Sequence, residues 1–81
     1  MISHEEIMMH LKLLPEVSHV VVDGDGHHYQ LTVVSDVFVN QSKLSRQKWL
    51  YGQINHWIAS GALHAVHMNT WTNEEWEKQR G

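Results

Sequence analysis

At 81 residues the chain is long enough for one domain with a thin core, because a short chain buries a smaller share of its surface than a long one. Hydrophobic residues make up 42% and charged residues 19%, which argues against disorder, a collagen-like repeat and a coiled coil. The absence of cysteine excludes a disulfide framework, a thiol nucleophile, a zinc ribbon and an all-cysteine iron-sulfur site, and a net charge of −3 lacks the basic field of a non-specific nucleic-acid binder.

The N-terminus carries no basic segment followed by an apolar run, and no stretch reaches the length of a membrane span, so a cytoplasmic location is expected. Ser3 and Glu6 form a capping box, with Ile2 and Ile7 at the two positions of a hydrophobic staple. The spacing predicts a helix from Ser3 to Leu14, with Ile7, Met8, Leu11 and Leu14 inward and Pro15 as the stop. A β-branched run from Val17 to Asp23 reads as a strand, and Asp23-Gly24-Asp25-Gly26 as the turn that closes it. His28 to Ser35 alternates as a second strand, antiparallel to the first, with Tyr29, Leu31 and Val33 on one face.

Asp36 to Gln41 is a connector in which Asn40 is suited to a left-handed conformation. Ser42 or Ser45 caps the next helix, whose apolar stripe is Leu50, Ile54, Trp57 and Ile58 and whose end is Gly61. Leu63 to Trp71 is a third strand with His64, Val66, Met68 and Thr70 on one side. Thr72 and Glu75 form a second capping box, stapled by Trp71 and Trp76, and begin a short terminal helix. The expected architecture is a small α+β domain spanning 1–81, a three-stranded mixed sheet with helices on one face. Its inward set includes Leu11, Val33, Leu50, Ile54, Val66 and Met68.

The run Asp23-Gly24-Asp25-Gly26-His27-His28-Tyr29 is followed by Val33-Val34-Ser35 with Phe38, then Ser45-Arg46-Gln47 with Tyr51. Leu63-His64-Ala65-Val66 and Thr70-Trp71-Thr72-Asn73-Glu74-Glu75-Trp76 complete the series. In this order and spacing the sequence resembles the BolA family over nearly its whole length, with a loop most similar to the bacterial IbaG-type subgroup. The resemblance implies a fold like the class II KH domain and two lines of function. One is association with a monothiol glutaredoxin around a shared 2Fe-2S cluster, in cluster trafficking or iron and redox sensing. The other is transcriptional regulation of stress response and cell morphology by DNA binding. It also implies that His64 is a cluster ligand, with a second ligand from the loop between the first two strands. Some members carry a cysteine there, where this chain has Asp25, and Asn40 stands where many have glycine.

Eight histidines are present, and imidazole is both the commonest metal ligand and the side chain that titrates near neutrality. Read from strand parity alone, His64 is a partly buried histidine at the rim of a core face. Read as a ligand, it would contribute a neutral imidazole to an iron whose thiolates come from the partner, since an imidazole can replace thiolate on one iron of such a cluster. His27 and His28 end the glycine-rich loop, and only one of them is expected to face the way His64 does. His28 is favoured slightly and His27 held nearly equal. His4, His10, His19, His56 and His67 fall into no evident constellation.

Lys43, Arg46 and Lys48 crowd the start of the long helix, where the helix dipole also favours an anion. They form a candidate phosphate-contacting patch or a solvated face, and no Gly-x-x-Gly loop is present to grip RNA. No nucleophile-base-acid spacing or phosphate loop is recognisable, so no catalysis is expected. Alone, the chain is expected to be a monomer or weak homodimer that binds no cluster. A histidine site for zinc within the chain is the third reading.

Overall fold

A computed structural model describes residues 2–80. Helix α1 (His4–Lys12) starts where the Ser3 hydroxyl accepts the Glu6 N–H at 3.1 Å, and Ile2 and Ile7 are both buried. The two devices set the helix start and anchor it to the core. The regular helix stops short of the expected Leu14, and Leu13, its C-cap, is exposed.

Strands β1 (Val17–Gly24) and β2 (His28–Ser35) are antiparallel, and β2 pairs in parallel with β3 (Ala65–Trp71), giving the order β1-β2-β3. The register sets Val20 beside Val33 and Val22 beside Leu31. These residues share one sheet face, because side chains alternate along a strand and paired positions project together. Against this face pack Ile7 and Leu11 of α1 and Leu50 and Ile54 of α2 (Lys43–Ser60), all fully buried. Tyr29 joins the same core, and its hydroxyl donates to the Ile2 carbonyl. Leu11, Val33, Leu50 and Ile54 therefore lie where the periodicity put them. Val66 and Met68, expected inward, are only partly buried at the margin of the core.

Two connections decide where the sheet ends point. Between β1 and β2, Gly24 has φ +133°, and a Cβ there would stand 2.2 Å from the His28 carbonyl oxygen, so only glycine lets the two strands close so tightly. After α2, Gly61 is left-handed and the Leu63 N–H donates back to the Trp57 carbonyl at 3.1 Å. Leu63 is thereby buried in the helix end rather than paired in the sheet, and β3 begins at Ala65, two residues later than its pattern suggests.

Between β2 and α2, Asp36–Phe38 forms a 3-10 turn with Phe38 buried, and Asn40 is left-handed at φ 62° as expected. Helix α3 (Asn73–Arg80) begins with a reciprocal box: the Glu75 N–H donates to the Thr72 hydroxyl at 3.1 Å and the Thr72 N–H to the Glu75 carboxylate at 2.8 Å. Helices α1 and α2 account for the expected packing on one face. The Trp76 ring of α3 lies 5.3 Å from that of His19, a residue of opposite parity to Val20, so α3 reaches across the end of the sheet toward β1. A hydrogen bond from the Asn73 side chain to Ser18 holds it there.

Candidate functional site: the histidine end of the sheet

The parallel pairing brings the β1–β2 turn and the start of β3 to the same end of the sheet. His28 pairs with Ala65. His64 itself lies in the loop before β3 and not in the strand, because Leu63 is committed to the end of α2. Its side chain is exposed, as are those of His27 and His28.

The turn that carries these two histidines is built by Asp25. One of its carboxylate oxygens accepts the backbone N–H groups of His27 and His28 at 2.9 and 2.8 Å, and its own N–H donates to the His28 carbonyl at 3.2 Å. The amides of His28 and then His27 hold the Asp25 carboxyl below the usual carboxylate range. The carboxylate is thus an internal brace for the loop. The imidazole of His28 stays 4.0 Å from it, outside hydrogen-bond distance.

Of the two loop histidines only His28 belongs to a strand. His28 shares the side of Ala65, where His28, Tyr29, Gln30, Ala65, Val66 and His67 line a shallow groove along the paired strands. His27 and His64 both lie just outside the paired residues of the strands. The groove also sets His67 near His28, a grouping with no signal in the sequence.

The basic triplet does not form one surface. The Arg46 guanidinium grips Glu75 of α3 with both ends, at 2.6 and 3.2 Å, and also donates to the Gln41 carbonyl at 3.0 Å. Its side chain is 14% exposed. Most of the Arg46 donors are thus engaged, in joining α2 to α3 and in holding the Gln41 carbonyl, which leaves little of its guanidinium for the expected phosphate contact. Lys43 and Lys48 are exposed and unpaired among the described residues. Five residues apart on a helix, they project about 140° from one another and do not share a face.

The BolA family profile, described as "BolA-like protein", matches residues 5–75. The chain belongs to the BolA family. It is 33% identical over 76 residues to the acid stress protein IbaG of Escherichia coli strain K12, covering 94% of this chain and 87% of that protein. Among solved structures, a BolA homologue from Coxiella burnetii superposes with TM-score 0.82 at 28% identity, over 95% of this chain and 99% of the other. The solution structure of yeast Fra2 gives TM-score 0.74 at 27% identity, over 95% and 86%. These neighbours share the α+β architecture with its three-stranded mixed sheet.

Within this BolA-family chain no helix among the described residues is long and apolar enough to cross a membrane. No group of three or more histidine or carboxylate side chains gathers among the described residues in a way that would hold a metal ion. The reading of a zinc site of that size within the chain alone therefore finds no such cluster. The histidine end of the sheet suits a site completed from outside: it offers exposed imidazoles and no thiolate, so a 2Fe-2S cluster there would take its thiolates from another chain. His64, with His27 or His28, would be the residues that hold it.

Proposed function

We propose that this BolA-family protein is a non-catalytic partner of a monothiol glutaredoxin, sharing a 2Fe-2S cluster with it in cluster trafficking or iron sensing. The observation that carries the reading is the pairing of exposed His64 with an Asp25-braced loop bearing His27 and His28 at one sheet end, in a chain without cysteine. When bound, the cluster would supply redox and transfer chemistry. The chain's own part is to present neutral imidazole on a backbone that does not rearrange. Asp25 fixes the loop through backbone amides, which leaves the side chains of His27 and His28 available. Leu63, buried beneath, fixes the peptide from which His64 projects.

Because His64 is exposed and outside the core, His64→Ala should leave the fold intact while altering the absorption, circular dichroism and lifetime of a cluster reconstituted between this chain and a monothiol glutaredoxin. Single substitutions at His27 and His28 should have smaller effects, since either can replace the other. Wild type and His64→Ala heterodimers with the same spectra and transfer rates would remove His64 from the ligand set and leave it as a surface residue of the loop.

A further inference from the structure

Two histidines that the sequence leaves apart, His10 of α1 and His56 of α2, meet across the helix pair with ring centres 5.2 Å apart and planes at 59°. Trp57 stands against both, 4.9 Å from His10 and 4.6 Å from His56. One explanation is aromatic packing alone, with the indole shielding the helix contact. A second feature is not required by packing: Nε2 of His10 lies 2.8 Å from the backbone carbonyl oxygen of Gln53. A carbonyl can only accept, so Nε2 carries the proton and donates, and in the neutral ring Nδ1 is left with its lone pair. An N–H donated to a backbone carbonyl is the arrangement that orients most metal-binding imidazoles and raises their basicity.

We propose that His10 and His56 form a two-imidazole site for a borderline divalent cation of the zinc class, bridging α1 and α2. The spacing agrees with this chemistry. With zinc–nitrogen bonds of ~2.0–2.1 Å, each ring centre stands about 3 Å from the metal, and two rings at the tetrahedral angle are then about 5 Å apart. His10 binds through Nδ1 while Nε2 keeps its hydrogen bond to Gln53, and exposed His56 turns either ring nitrogen to the metal. No third histidine or carboxylate joins them among the described residues. Water fills the remaining positions, so the site is open and its affinity modest. The site lies on helices that do not carry His27, His28 or His64, and it stands or falls separately from the glutaredoxin reading.

The experiment is a titration of the full chain with zinc chloride, followed by calorimetry and by the imidazole nitrogen and carbon resonances of each histidine. The ring signals of His10 and His56 should shift together and saturate at one zinc per chain. His56→Ala, at an exposed position, and His10→Ala should each weaken binding at least about tenfold, the scale on which loss of a ligand's supporting group is already felt. Zinc should raise the thermal midpoint of wild type and not that of His56→Ala, because a cation that binds only the folded helix pair stabilises it. Shifts confined to His27, His28 and His64, or an affinity unchanged in His56→Ala, would overturn the assignment and leave the cluster as aromatic packing.

Discussion

Replacing Glu75 with Gln keeps the shape of the side chain and removes the charge that joins α2 to α3. In the folded protein the Arg46 guanidinium, with the Thr72 N–H second, holds the Glu75 carboxyl down from 4.5 to about 2. Taken at face value that difference is worth ~3 kcal/mol of folding free energy. The Glu75 side chain is 42% exposed, however, and solvent screening at such a position reduces an ion pair to about 1 kcal/mol, the upper edge for surface pairs. The sign follows from the direction. A carboxyl with a depressed folded value stabilises the fold fully above its ordinary range, and that stabilisation is lost as the pH falls from 4.5 through about 2. Urea unfolding of wild type and Glu75→Gln should therefore differ by about 1 kcal/mol at pH 7, a midpoint shift of about 1 M for a slope near ~1 kcal/mol per M. The gap should close near pH 2. A gap that persists unchanged at pH 2 would show that the loss does not come from the carboxylate charge, and no gap at pH 7 would show that the ion pair contributes nothing.

Ile54→Ala, which empties a fully buried position between α2 and the sheet, should cost about 2–5 kcal/mol in the same assay; a cost within surface scatter would mean the stripe does not face the core. Gly24→Ala should destabilise by about 1–3 kcal/mol, because the new methyl meets the His28 carbonyl and the backbone stays at φ +133°, and backbone amide shifts of His27 and His28 should report the loop's displacement. For DNA, binding should be weak and strongly salt-dependent, and fluorescence anisotropy should show it reduced by Lys43→Glu with Lys48→Glu; tight binding at high salt, indifferent to both, would contradict this. Arg46→Glu is unsuited to that test, since it sets two carboxylates face to face at the α2–α3 junction.

Much of the fold is local and was legible in the sequence. Ser3 with Glu6 and Thr72 with Glu75 cap their helices through hydrogen bonds spanning three residues, so spacing alone located both starts. Alternation placed Val33, and helical periodicity placed Leu50 and Ile54, in the core, because a strand or helix face that is apolar at its own period has to be covered. The same locality made the turn at Gly24 and the left-handed Asn40 readable.

What the sequence alone could not decide involves residues far apart along the chain. The depth of Val66 and Met68 depended on how fully the helices cover β3, a matter of packing. The place of His64 depended on Leu63 being drawn into the end of α2, which moved the strand start by two residues and removed His64 from the strand whose parity had been applied to it. The fate of Arg46 was set by a carboxylate 29 residues away, and three cations close in sequence proved to be one structural tie and two lysines facing apart. Hydrophobic period and capping act within a few residues and are written in the order of side chains. Strand order, register and long-range ion pairs arise only when the elements pack, and they decide which histidines meet.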